Sequence, residues 1–414
     1  GTFRDETRDR GLGTSGRRWG TGCAFLDYDR DGNLDLFAAH YLKFDPSTVP
    51  KPGSPNQCVW KGFPVVCGPI GLPPETMSLY HNDGGGRFTD VSSKAGVGEA
   101  RAAGLSVLTG DYDNDGWTDI YVTGDSTPSR LFRNLGNGAF EEVGEFSGLA
   151  YNEDGHEQSG MGTSAADYDR DGDLDIVKTN FTDDIPNLYE NNGEGLFIEQ
   201  TIPAGLAVHT QFVNWGVAFL DFDQDAWKDI IIVSGHVYPD IDKRHVGQMF
   251  HQPRLLYWNR RDGEFYDMSD QGGPGITARH SSRGIALGDL DNDGVQEVVI
   301  VNMHEGPSLL KNFGEMGNSI LIQALTSTGR DAVGARLKLT TADGQQLDEV
   351  RSGGFYVSQG DFRVHFGLGD ATKADLEIRW PDGKTGSWKN LPAGHWIVVR
   401  EGSGIVSTRK LGKD

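Results

Sequence analysis

The chain has 414 residues, 58 of them Gly, and carries 60 acidic against 38 basic side chains, for a formal charge of -22. That length suggests two or three domains with ample core, and the 10% aromatic content with nine Trp excludes a disordered chain. The charge makes nucleic acid and anionic membranes poor partners unless a bound cation neutralises it, and no apolar run approaches the roughly 18 residues of a membrane helix.

The chain opens on GTFRDETRDRGLG, which is not a signal peptide, so the sequence is a mature form or is given without its leader. A nine-residue pattern then recurs five times: DYDRDGNLD (27–35), DYDNDGWTD (111–119), DYDRDGDLD (167–175), DFDQDAWKD (221–229) and DLDNDGVQE (289–297). Each copy follows a short run of small and apolar residues and precedes a β-rich run (LFAAHY, IYVTG, IVKTN, IIIVSG, VVIVN). A third run then ends in Asn (SLYHN, RLFRN, NLYEN, LLYWN, SLLKN), and in the first four copies a Gly-containing turn and an aromatic-bearing fourth run follow. Four short strands per repeat describe propeller blades, so an all-β fold is expected.

Two repeats are longer, always between strands two and three. The first insertion, about 43–76, is Pro-rich and holds Cys58 and Cys67, either a small disulfide loop, implying an oxidising compartment, or two free thiols. The second contains GHVYPDIDKRHVGQMFHQP. In an up-and-down blade both insertions lie on the face opposite the acidic loops. That face is expected to gather His156, Glu157, His209, Trp215, His236, Tyr238, Asp240, His280, Arg283, His304 and Glu305 near the axis. Of these, His156, His236, His304, Tyr238 and Arg283 are the catalytic candidates if proton abstraction takes place there. The repeats end near 317. Residues 318–402 alternate apolar and polar, with turns at Asp343-Gly344 and Asp382-Gly383, and read as a separate β domain, with 403–414 as a basic, frayed tail.

Carboxylates at loop positions one, three, five and nine, with Gly at six and a carbonyl at seven, form the flexible oxygen cage that Ca²⁺ prefers. The ligand sets are Asp27, Asp29, Asp31, Asn33 and Asp35; Asp111, Asp113, Asp115, Trp117 and Asp119; Asp167, Asp169, Asp171, Asp173 and Asp175; Asp221, Asp223, Asp225, Trp227 and Asp229; and Asp289, Asp291, Asp293, Val295 and Glu297. Up to five Ca²⁺ are expected. The last two sets depart from the pattern, with Ala226 at position six and Glu297 at position nine.

These repeats resemble FG-GAP-like (VCBS) calcium-binding propeller repeats, and GARLKLTT, EVRSGGFYVSQGDFRVHFGLG and EIRWPDG resemble the ASPIC/UnbV domain. The pairing resembles the cartilage acidic protein family, mostly secreted bacterial proteins. The resemblance implies a seven-bladed propeller, a small β-sandwich-like domain and a secreted, extracellular or periplasmic location. Against seven blades stand five repeats, so either two blades lie upstream or in another chain, or the amino-terminal strand closes the fifth blade. The function expected is a calcium-stabilised binding scaffold for protein, glycan or a chain completing the propeller. The alternative is a propeller lyase or cyclase working from the face opposite the acidic loops.

Overall fold

The computed structural model describes residues 1–13, 18–47, 49–51 and 53–412. Four four-stranded antiparallel sheets follow one another in sequence. Blade one is Gly20–Leu26, Asp35–His40, Ser78–Asn82 and Phe88–Asp90; blade two is Gly104–Gly110, Asp119–Gly124, Arg130–Asn134 and Phe140–Glu142. Blade three is Gly160–Ala166, Asp175–Asn180, Asn187–Asn191 and Phe197–Glu199; blade four is Asn214–Leu220, Asp229–Ser234, Leu255–Asn259 and Phe265–Asp267. Blade five has three strands, Ser282–Gly288, Glu297–Asn302 and Ser308–Leu310. Each acidic repeat is the loop between a blade's first two strands.

Innermost strands pack side by side from blade one to blade five, and no such packing joins the fifth to the first among the described residues. Burial marks the same break: every residue of the innermost strands of blades two to four is buried, whereas blade one leaves Cys23 and Phe25 exposed. Among the described residues the amino-terminal stretch does not pair with blade five. Phe88 N–H donates to Arg10 O at 2.8 Å, the bond by which Phe140, Phe197 and Phe265 each hold the exit turn of the preceding blade through Ala95, Ser147 and Ala204. Residues 1–13 thus occupy the place of an exit turn beside blade one.

The recurring Asn has a structural explanation. In blades one to four its backbone N–H donates to the position-nine carboxylate of its own blade (Asn134 to Asp119 at 2.7 Å), and in blades two to five its side-chain amide reaches the position-two carbonyl of the loop in the preceding blade (Asn134 to Tyr28, Asn191 to Tyr112, Asn259 to Tyr168, Asn312 to Phe222). The position-two ring packs on the next blade's fourth-strand Phe, with centroids 5.8, 6.1 and 5.7 Å apart for Tyr28–Phe140, Tyr112–Phe197 and Tyr168–Phe265. Neighbouring blades are therefore joined by a polar staple and an aromatic pair, both built from positions that recur in the repeats.

Residues from Asn318 onward form two packed four-stranded sheets. One orders Val364–Gly369, Asn318–Leu325, His395–Arg400 and Gly404–Lys410; the other Gly344–Glu349, Arg336–Thr341, Lys373–Arg379 and Thr385–Pro392. Ile320, Ile322, Leu337, Leu339, Phe366, Leu376, Ile378 and Ile397 fill the space between them. The expected tail is instead largely an edge strand: Gly404–Lys410 pairs antiparallel with His395–Arg400. Its alternation is muted because an edge strand buries little and carries charges that discourage further pairing. Lys413 and Asp414 lie outside the described residues.

Candidate metal loops and the two propeller faces

All five acidic loops share one backbone frame. The position-one carboxylate accepts the N–H of position six, from Asp27–Gly32 at 3.1 Å to Asp289–Gly294 at 3.0 Å, and position five accepts the N–H of position seven. Gly32, Gly116, Gly172 and Gly294 hold φ near +90°, and Ala226 holds φ 77° in the same place, so alanine accepts the left-handed strain there. Position nine is buried in every loop. In loops one to four both of its oxygens accept backbone N–H, as when Asp35 takes Tyr28 and Asn82. What this residue offers an ion is therefore the remaining lone pairs rather than two free oxygens.

Carboxylate oxygens converge in sets that lie within 4.8 Å of one another: Asp27, Asp29 and Asp35; Asp111, Asp113 and Asp115; Asp167, Asp169 and Asp175; Asp221, Asp223 and Asp225. Within them, Asp27 Oδ1, Asp111 Oδ1 and Asp223 Oδ1 are buried without a hydrogen-bond partner. A buried carboxylate oxygen facing others is costly unless a cation meets it, and an all-oxygen donor set suits Ca²⁺. The titration shifts reflect the same frustration. Burial pushes Asp27 up to about 6 and Asp35, Asp167 and Asp221 up to about 7, with carboxylates of the same loop adding to the push. Burial likewise drives Asp119, Asp175 and Asp229 well above the usual carboxylate range.

The carboxyl-terminal domain sits on this face and touches all five loops. Arg330 donates to Gly32 O; Arg336 and Arg379 engage Asp111; Arg170 of loop three donates to Gln345 O; Lys228 pairs with Asp348 at 3.3 Å; Arg363 bonds Asn292 and Asp289 O. From the same domain the segment 351–361 runs into the blade axis. Ser352 Oγ accepts Phe25 N–H, Gly354 N–H donates to Val107 O, Thr163 N–H donates to Phe355 O and Asp361 N–H donates to Leu287 O, reaching blades one, two, three and five. Sequence reasoning missed this docking: the Arg residues were visible, but nothing local assigns them a partner.

The opposite face is closed by its own insertions. Cys58 and Cys67 form a disulfide across the hairpin Cys58–Trp60/Phe63–Val65. The hairpin reaches blades three and four, where Lys61 pairs with Asp183 at 2.8 Å and the Trp60 ring lies 5.3 Å from His236, 5.7 Å from Tyr238 and 6.3 Å from Phe181. Beneath it Tyr356 of the axial segment packs 5.0 Å from Trp215, and Arg283 lies 4.2 Å over the same ring while its Nη1 and Nη2 donate to backbone carbonyls of Gly235 and His236.

The expected gathering of histidines is not found. His236 is fully buried in the aromatic cluster; His209 pairs with Asp267 at 2.6 Å; His280 and His251 share Glu305 at 2.6 and 2.9 Å; Asp240 binds Arg244. His156 and Glu157 are exposed together on one connection and His304 on another. Tyr41 and the buried Asp125, hydrogen-bonded at 2.5 Å, are a polar pair on this face that the sequence did not single out.

Blade, loop and appended domain define the class, a propeller of FG-GAP-like repeats joined to an ASPIC and UnbV domain. The FG-GAP-like repeat family matches residues 65–122, 111–177 and 250–300, and the ASPIC and UnbV family matches 325–406. Among individual proteins the chain is similar to cartilage acidic protein 1. It is 27% identical over 302 residues to that of Mus musculus, covering 71% of this chain and 44% of the relative, and 27% identical over 329 residues to that of Homo sapiens, covering 75% and 46%. The chain spans about half the length of these relatives. Among solved structures, an Agrocybe aegerita lectin that recognises non-reducing terminal N-acetylglucosamine aligns at TM-score 0.36 and 18% identity, over 89% of this chain and 81% of its own. An exotype rhamnogalacturonan lyase aligns at 0.33 and 13%, over 90% and 72%. Both scores are too low to define a shared fold.

Proposed function

We propose that this chain is a secreted, calcium-stabilised binding scaffold. Bound ions lock the acidic loops beneath the carboxyl-terminal domain, and the opposite, disulfide-bearing face meets a protein or glycan ligand. The observation that carries the reading is the pairing of buried, partnerless carboxylate oxygens in loops one, two and four with a domain braced on those same loops. Bound Ca²⁺ would supply the positive charge that the converging carboxylates lack. The chain's own residues do the rest: position one anchors the turn, position nine ties strand three to the loop, and Arg330, Arg336, Arg379 and Lys228 offset the charge left toward the domain.

The aromatic and ion-paired surface of the insertions suits recognition better than catalysis, because His236 is buried among rings, His209 pairs with Asp267, and His251 and His280 share Glu305 apart from both. A disulfide in the same face and likeness to the cartilage acidic proteins support an extracellular setting. Among the described residues no helix is long and apolar enough to cross a membrane.

Thermal melts after chelation and after calcium readdition test the proposal. A melting temperature several degrees lower in EDTA, restored by Ca²⁺ but not by equal Mg²⁺, is expected, because an ion that binds only the folded state adds RT ln(1 + [L]/Kd) of stability. Identical melts with verified metal removal would refute it.

A further inference from the structure

Loop five differs from the others in what fills it. The residue before the third-strand Asn stands over its own acidic loop: His81 Nε2 lies 3.1 Å from Asp29, and Trp258 Nε1 donates to Asp223 at 2.9 Å. In blade five that residue is Lys311. Its Nζ lies 2.7 Å from Asp291 Oδ2, 2.6 Å from Asp293 Oδ2 and 3.0 Å from Glu297 Oε1. These are positions three, five and nine, so the ammonium stands where their oxygens meet.

The remaining ligands are also engaged. Asp289 accepts Asp293 N–H through one oxygen and Gly294 N–H through the other, whereas in loops one and two the corresponding Asp27 and Asp111 each keep a partnerless oxygen. Glu297 adds a second difference. Its Oε2 accepts Leu290 N–H, but Oε1, on a side chain longer by a methylene than the Asp that elsewhere holds the third-strand Asn, makes no hydrogen bond and meets the Lys311 ammonium as an ion pair at 3.0 Å. A calcium ion seeks six to eight oxygens at about 2.3–2.6 Å. To enter here it would have to expel an ammonium that already touches three carboxylates, then sit beside it as a like charge.

We infer that Lys311 is a built-in cation that takes the place of the metal in loop five, so the chain binds one ion fewer than its acidic loops suggest and blade five keeps its shape without metal. The inference rests on the calcium reading of the other loops. Its structural consequence is a metal-independent anchor: Arg363 to Asn292, His365 to Gly294 O and Gly412 N–H to Asn292 O tie the carboxyl-terminal domain to loop five.

Native mass spectrometry of calcium-equilibrated protein, with near-ultraviolet circular dichroism confirming the fold, counts the ions. Lys311→Gln should bind one ion more than the unmodified chain. Lys311→Arg, and the double variant Asp291→Asn with Asp293→Asn, should bind the same number as the unmodified chain. No gain in folded Lys311→Gln, or loss of an ion in the double variant, overturns the inference; the double variant decides the matter alone if Lys311→Gln does not fold. As a control, Asp111→Asn with Asp113→Asn should lose one ion. If the unmodified chain binds no calcium at all, it is the calcium reading of the loops that fails, a different outcome from a full set in which loop five takes part.

Discussion

His236 shows how one residue changes meaning between sequence and structure. In sequence it is a candidate acid or base; in place it is a buried neutral imidazole among Trp60, Phe181 and Tyr238, with Nδ1 accepting Tyr238 N–H at 3.1 Å. Burial, helped by the Arg283 and Lys61 charges and opposed by the Gln248 side chain and Asp242, lowers its pKa to about 4. The unfolded chain protonates it near 6.5, so the stabilising contribution is complete above that value and disappears as pH falls from about 6.5 to about 4. The window corresponds to about 3 kcal/mol at 1.36 kcal/mol per pH unit. His236→Phe removes the proton and keeps the ring. The stability difference between the unmodified chain and His236→Phe, followed by urea unfolding, should be flat above pH 7 and shrink by up to about 3 kcal/mol toward pH 4; parallel profiles would rule out a buried neutral histidine. Arg336 is equally local, holding the buried Glu349 at 2.7 Å beside Asp111, where an unpaired carboxylate would be costly.

At the scale of elements, the axial segment decides whether the chain behaves as two domains or one. Gly162 lies in blade three where an added Cβ would meet Trp215 O at 2.3 Å and Phe355 O at 2.5 Å, so the close approach of strand and segment depends on the missing side chain. Gly162→Ala should cost about 1–3 kcal/mol through overpacking and separate the melting of the blades from that of the carboxyl-terminal domain, which should otherwise unfold together. An unchanged single transition would show that the segment is not what couples them. The blades themselves were legible in the sequence, because loop, third-strand Asn and fourth-strand Phe recur in the same order from blade to blade, so contacts 79 to 106 positions apart still repeat with the motif. The axial segment was not: Phe25 meets Ser352 across 327 positions of chain, and no period marks such a contact. The same limit hid the docking of the domain on the acidic loops. It also made Gly404–Lys410 resemble a loose end, since an edge strand with four hydroxyl-bearing or basic residues in a row, Ser407 to Lys410, lacks a clear apolar face.

For the whole molecule the formal charge of -22 is distributed unevenly, and this makes a definite statement about salt. Once ions are removed, the partly exposed carboxylates of positions three and five, such as Asp29 and Asp31 with side chains 25% and 33% exposed, repel one another across solvent. The attractions that oppose them are buried: the Arg336 and Glu349 side chains are 10% and 2% exposed, and Lys228 and Asp348 are 9% and 11% exposed. Screening falls on charges that water reaches, with a Debye length shrinking from about 30 Å at 0.01 M to about 3 Å at 1 M. Added salt should therefore weaken the repulsion more than the bracing ion pairs. The melting temperature of EDTA-treated protein is expected to rise between about 0.01 M and about 1 M NaCl, while that of the calcium-loaded protein, whose loops are already neutralised, changes much less. A fall of both with salt would mean that the ion pairs to the carboxyl-terminal domain, and not the acidic loops, set the electrostatic balance. In that case the domain would act as the principal counter-charge to the loops, with calcium secondary to it.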